Sequence, residues 1–512
     1  MTRKECLRCF FLKIIIGLIL SLIPLAITND FIDSFEEESL TDDVLYGMEP
    51  EDGDETKWYL KTKDNYLNEF LRPYKYMRVC YFANWAAKRR SEISRVVPED
   101  IDPHLCTHIN FAFAKVGEDL SVKPYEEDDP AGWTGGPGLY QRITALRTNN
   151  SDLKIMLSIG GWTHASKGFN EVSKDDASIE KFVQNAITYL RKYEFDGFDI
   201  DWEYPGATDR QAENHTKKGF TKLVTKLREE FEKEAYEKDK PRLLLSAAVG
   251  AANERIDAGY EIDIICQHFD FINVMSYDYH GSWDGVTGHN SPLYGRKNEP
   301  EKDRLWNINS SIHIWIERGC PREMLNVGIS AYGRSYSLFS ENQTHEIGMS
   351  KASAAEAGPY TMEPGVLAYY EVCEILNKDK QLKIYWHEEH DVPYAYRPGL
   401  WIGFDNIQSF VNKVNYVKRM QLGGVIVWSL DMDDKTGNVC NQGPYPVLNT
   451  LKSELTKPES VTTKSYTTIS KYPRGFWSKK YGRRRNLSLK LNSQFKTFFT
   501  LTILCILILF YP

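Results

Sequence analysis

From about residue 76 to residue 455 the chain repeats one pattern: a short β-rich apolar run, then a longer stretch with apolar residues recurring at three and four positions. The apolar runs predict strands at 78–84, 108–114, 154–159, 197–202, 243–249, 271–277, 325–330 and 424–429. The intervening periodic stretches predict helices, including 138–148, 177–193, 217–238 and 308–319. Eight such alternations predict an α/β fold, a (β/α)8 TIM barrel. A barrel of this kind typically closes in about 250 residues, so a stretch of this length must carry insertions. The widest interval lies between the seventh and eighth strands. There residues 336–401 lose the alternation, which predicts a small α+β insertion.

The flanks read differently from this 75–455 core. Arg3, Lys4, Arg8 and Lys13 precede an apolar run over 14–27, too short for a comfortable span of ~30 Å of hydrocarbon. Residues 1–28 are therefore expected to be a signal peptide, or an N-terminal anchor if the run extends back to Phe10. Residues 29–74 form an acidic, disordered-type segment, with twelve Asp/Glu and no Lys/Arg between 30 and 56. Residues 456–497 are a Ser/Thr/Lys/Arg-rich linker with eleven Lys/Arg against Glu459 alone. A second apolar run at 498–512 is expected to attach the chain to a membrane, through a lipid anchor or a short tail anchor.

Composition changes this picture little, since 42% hydrophobic and 26% charged residues are ordinary globular usage. Charge changes it more. The core is net acidic, so no nucleic-acid surface is expected, because duplex binding needs Lys/Arg to displace phosphate counterions. Sequons at Asn149, Asn214, Asn309, Asn342 and Asn486 suit the secretory pathway and an extracellular destination. Cys80, Cys106, Cys266, Cys320, Cys373 and Cys440 are too widely spaced for a zinc site and suit disulfides.

The most informative stretch is FDGFDIDWEYP, residues 195–205. Strand side chains alternate, so Asp199, Asp201 and Glu203 share one face while Phe198, Ile200 and Trp202 share the other. In a barrel strand the second set packs under the helices and the acids stack inward, ~6.6 Å apart, toward the mouth where barrel active sites form. Three ionised carboxylates so close repel, so at least one should keep its proton, which is how a general acid is held ready. The same DxDxE spacing would also suit oxygen ligands of Mg²⁺ or Ca²⁺, although no glycine-turned acidic loop accompanies it. His387-Glu-Glu-His390 lacks the HExxH spacing and reads as a solvated loop of the insertion.

Several motifs stand in one order along the core: Ser158, Gly160 and Gly161 as SxGG; Asp196, Gly197, Asp199, Asp201 and Glu203 as DGxDxDxE; Met275, Tyr277 and Asp278 as MxYD. With YGRSY around Arg334 and a last strand VIVWSLDMDD, the chain resembles the chitinases of glycoside hydrolase family 18 from about residue 76 to 455. The resemblance implies endo-acting hydrolysis of β-1,4-linked N-acetylglucosamine polymers by a retaining, substrate-assisted mechanism. It implies Glu203 as proton donor with Asp201, Asp199 and Tyr277 completing the catalytic set. Tyr81, Phe113, Trp162 and Trp428 are aromatics near strand ends whose flat faces suit stacking on sugar rings, and with Met275, Asp278 and Arg334 they are expected to contact the sugar; the resemblance makes Trp428 its floor. By the same resemblance Cys80 should pair with Cys106 and Cys373 with Cys440, while Cys266 and Cys320 have no implied partners. The expected partner is chitin or its oligosaccharides, with no cofactor, no metal and a monomeric chain. Relatives that bind sugar without cleaving it lack the last Glu of the motif. Glu203 is present here, which favours catalysis over that reading and over action on N-glycan chitobiose cores.

Overall fold

The computed structural model describes residues 76–132, 135–339 and 344–457. Eight parallel strands form the centre: β1 (Met77–Ala83), β2 (His108–Val116), β3 (Lys154–Gly160), β4 (Gly197–Asp201), β5 (Leu244–Gly250), β6 (Phe271–Met275), β7 (Leu325–Ser330) and β8 (Gly424–Trp428). Each pairs with the next, and β8 returns to pair with β1, so the sheet closes without an edge.

The alternation within each strand decides which residues meet. Cys80 and Phe82, Leu157 and Ile159, and Phe198 and Ile200 point outward into one large core shared with the helices. Val79, Tyr81, Met156, Ala248 and Ile426 point inward and fill the barrel. The helix Asp176–Lys192 shows the outer packing: Ile179, Phe182, Val183, Ala186 and Leu190 recur at helical spacing and are buried, and Asp175 caps its start by accepting from the Ser178 amide at 2.7 Å. The predicted helix 138–148 is instead a short α-helix, Leu139–Thr144, tightening into a 3₁₀ turn, Ala145–Thr148.

The insertion is a six-stranded antiparallel sheet between β7 and β8, carrying the helix Tyr369–Lys378. It begins earlier than the pattern suggests. Strand Tyr332–Leu338 starts directly after β7 and pairs with Ala352–Ala354, Val366–Ala368 and Leu400–Gly403, so the YGRSY segment belongs to the inserted sheet. Leu367, Val372, Leu382, Ala395, Ile402 and Phe404 give the insertion its own small core.

The HEEH segment is a turn of the insertion with Glu388 and Glu389 exposed, but it is not solvated throughout. It turns the hairpin between Lys383–His387 and Val392–Arg397, and His390 is buried, with Nε2 2.9 Å from a Glu299 carboxylate oxygen and its ring stacked on His387 at 4.3 Å. The loop after β6 covers it, a long-range contact that short spacing cannot reveal.

Three disulfides tie this frame: Cys80–Cys106, Cys266–Cys320 and Cys373–Cys440. The first and third match the pairs the resemblance implies, with Cys106 lying just before β2, and the second joins the two cysteines left open. Asn149 and Asn214 are exposed and Asn309 is half-buried. The expected signal or anchor at 1–28, the acidic segment 29–74, the linker beyond 457, the apolar run 498–512, Asn342 and Asn486 all lie outside the described residues. Among the described residues no helix is long and apolar enough to cross a membrane.

The Cys373–Cys440 bridge joins the insertion helix to the segment after β8 across 67 residues. Replacing both cysteines with alanine should cost about 2–4 kcal/mol, by releasing chain entropy in the unfolded state. A urea midpoint unchanged from the native protein would show that the bridge contributes nothing.

Candidate active site

Strand β4 delivers Asp199 and Asp201 into the barrel, and Glu203 follows at the next alternate position, just past the strand end. All three are buried. A buried carboxylate survives only if donors replace its water. Asp199 has them: Tyr81 Oη donates at 2.7 Å, Ser158 Oγ at 2.8 Å and Ser246 Oγ at 2.6 Å. Burial raises its pKa, and these three hydroxyls oppose that rise. Asp201 has no such support. One of its oxygens, Oδ1, is buried without a partner, and burial, then the charges of Glu203 and Asp199, push its pKa well above the carboxylate range. Burial also lifts Glu203 to about 7, while Tyr204 and the cations Arg210 and Arg255 pull it down. Burial and mutual repulsion therefore favour the protonated forms of Asp201 and Glu203, the state a proton donor requires.

The SxGG motif lets this column form. An added Cβ on Gly160 (φ +116°) would lie 2.1 Å from the Asp201 carbonyl oxygen, and one on Gly161 (φ +83°) would lie 2.6 Å from the Phe113 ring. With no side chains in the way, the Gly161 amide donates to the Asp201 carbonyl at 2.8 Å and the loop after β3 closes over β4.

Above the acids opens a cleft of about 1310 Å³ at the C-terminal mouth of the barrel. Trp428 lines it from the end of β8, stacked on Phe113 at 5.7 Å and 19° and tilted against Tyr81 at 5.5 Å. Trp162 and Trp283 stand on its rim, 60% and 58% exposed. Met275, Tyr277 and Asp278 line it from the end of β6. Asp278 is fixed by Tyr332 Oη at 2.7 Å and by Arg334, whose Nε and Nη2 donate at 2.9 and 2.6 Å.

One expected sugar contact falls elsewhere. Tyr81 is buried beneath Trp428 with its hydroxyl on Asp199, so it supports the acids and offers no open ring face. Ser246 was not legible as a site residue. Its signal is a single hydroxyl inside the apolar run LLLSAAVG, in register with Asp199 across β4 and β5. Arg210 was also missed, because it lies in a 3₁₀ turn outside any motif. The Mg²⁺ or Ca²⁺ reading does not fit: both oxygens of Asp199 already accept from hydroxyls, and among the described residues no His, Cys, Asp or Glu group is arranged to hold a metal.

Comparison with known proteins agrees with this architecture. The profile of Glycosyl hydrolases family 18 matches residues 77–433. Chitotriosidase-1 of Mus musculus is 40% identical over 401 residues, covering 77% of this chain and 81% of that protein. The solved structure of human YKL-39, a pseudo-chitinase with retained chitooligosaccharide binding, superposes with a TM-score of 0.69 at 38% identity, over 75% of this chain and all (100%) of that one. A mutant of Ostrinia furnacalis Group II chitinase catalytic domain 2, solved in complex with (NAG)5, gives 0.68 at 34% identity over 75% of this chain and 97% of that one.

The raised Glu203 pKa has a consequence for stability. Between its ordinary 4.5 and about 7 the folded protein holds a proton that the unfolded chain has released, so this group's contribution is full below that window and is lost as pH rises through it. Glu203→Gln removes the dependence and should gain about 1–3 kcal/mol relative to the native chain between pH 4 and pH 8. Parallel melting curves with the same offset at both pH values would contradict the assignment.

Proposed function

The chain belongs to glycosyl hydrolase family 18, and on that premise we propose that it hydrolyses chitin and chitooligosaccharides, cutting internal β-1,4 bonds between N-acetylglucosamine units with retention at the anomeric carbon. The observation that carries the reading is Glu203, a buried carboxyl at the cleft whose pKa is lifted to about 7, with Asp201, also raised, behind it.

In the proposed reaction neutral Glu203 gives its proton to the glycosidic oxygen as the C1–O bond breaks. The carbonyl oxygen of the substrate's own 2-acetamido group attacks C1 from the other face and forms an oxazolinium ion. In this reading the sugar lies to one side of β4, so none of the three acids on that strand and its extension attacks C1 from the opposite face. Asp201 turns to accept from the acetamido N–H, and the Tyr277 hydroxyl, also in the cleft, steadies its carbonyl. Ionised Glu203 then takes a proton from water as that water attacks C1, which reopens the ring and restores the acid. Trp428 gives the reacting sugar an apolar floor.

The three disulfides support a protein matured in an oxidising compartment, and an extracellular site of action follows from a polymeric substrate.

Relatives that bind chitooligosaccharides without activity make binding alone the second reading. Glu203→Gln decides between them: it should lower turnover of the N-acetylglucosamine hexamer by at least ~10²-fold while leaving its affinity near native. A native chain with no turnover would establish the second reading. The mechanism has its own check, because the first product seen by NMR should be the β-anomer and a glucosamine oligomer without N-acetyl groups should stay intact. α-Product, or cleavage of the deacetylated chain, would overturn substrate assistance.

A further inference from the structure

Glu203 lies beyond the last ladder residue of β4, so the barrel alone does not fix its backbone. Trp162, more than half exposed on the loop after β3, likewise packs little of its ring against the core. Two consecutive residues of the 3₁₀ turn Thr208–Arg210 supply what the barrel lacks. The Arg210 guanidinium donates from Nη2 to the Trp162 carbonyl and from Nε to the Glu203 carbonyl, the latter at 3.2 Å. Its centre lies 3.5 Å from the middle of the Trp162 ring, a face-on contact. Trp162 lines the cleft and is 60% exposed, so with the guanidinium on one face of the indole much of the ring is still open. Asp209 turns the other way. Its two carboxylate oxygens each accept from Arg255 at 2.6 Å, and Arg255 belongs to the helix Asn253–Gly259 after β5.

We propose that Asp209 and Arg210 form a clamp that ties the loops after β3, β4 and β5 together around Glu203 and braces Trp162 as a fixed platform for a sugar ring. Arg210 is thus a positioning residue of the cleft. The role needs arginine: a planar fork can bond two carbonyls while its face lies on an indole, and a lysine ammonium cannot do both. The Asp209–Arg255 pair is partly exposed and screened by solvent, so its contribution is directional, holding the turn at the angle that presents Arg210. The positive charge of Arg210 also acts on Glu203, drawing its titration down against burial.

The clamp rests on the hydrolytic reading above, and its test separates the two. In the Glu203→Gln background, where turnover is removed, calorimetric titration with the N-acetylglucosamine hexamer should show Arg210→Lys weakening binding about tenfold, the size of a lost cation–π and hydrogen-bond pair. Melting temperatures within a few degrees of the parent would show that the loss is local. Affinity within twofold of the parent would overturn the bracing role, whatever the hydrolytic activity proves to be. In the active chain, Arg210→Gln should move the alkaline limb of kcat/KM to higher pH, because a cation beside Glu203 is gone, and Arg210→Lys should move it less. A purely structural role would lower kcat in both variants without shifting the limb, and that result would overturn the proposal.

Discussion

Three carboxyl groups on one face of one strand and its extension, buried at the mouth of a barrel, set the terms for the rest of this molecule. Removing a charge from water is expensive, and three adjacent charges in such a place cannot all persist. The protein meets the demand differently at each level. At the bottom, Asp199 is surrounded by hydroxyls from β1, β3 and β5, each a hydrogen bond to an acceptor that can be charged and so stronger than a neutral one. In the middle, Asp201 is left short of partners, and burial with its charged neighbours pushes its pKa well above the carboxylate range. At the top, Glu203 titrates near neutrality, where a proton can be given and recovered. The gradient runs along β4 from a satisfied group to a reactive one.

Neighbouring features follow from that column. Gly160 and Gly161 are needed because the loop after β3 must touch the backbone of Asp201 and the Phe113 ring at distances no side chain allows. Tyr81 donates to Asp199, and its ring is buried against Trp428. The inserted sheet contributes Arg334, which crosses to Asp278 and joins the insertion to the end of β6 beside the cleft. Barrel and insertion therefore build the site together.

The barrel was legible in the sequence because buried parallel strands are short, apolar and punctuated, and each of the eight predicted strands overlaps an observed one. The acids were legible because period two fixes which residues share a face. What escaped depends on contacts between segments distant in sequence. Ser246 looks like an ordinary strand residue until the β4–β5 register sets it opposite Asp199. His390 looks solvated until the loop carrying Glu299 folds over it. Arg210 belongs to no motif, and only the spatial approach of two loops gives it two carbonyls to hold. Tyr81 was read as a ligand contact because aromatics at strand ends suit that role, and the sequence does not say which ring faces are covered.

The central claim is that the β4 column holds protons at neutral pH, and the most direct test is to watch its carboxyl carbons titrate. NMR of protein labelled with ¹³C at Asp and Glu carboxyls, with signals assigned through Asp199→Asn, Asp201→Asn and Glu203→Gln, would follow each group from acid to alkaline pH. The account predicts that Asp201 and Glu203 both titrate well above the ordinary carboxylate range, and that Glu203→Gln, which removes the charge beside it, lowers the midpoint of Asp201. If all three groups are ionised by pH 5, in register with surface carboxylates, the account is contradicted.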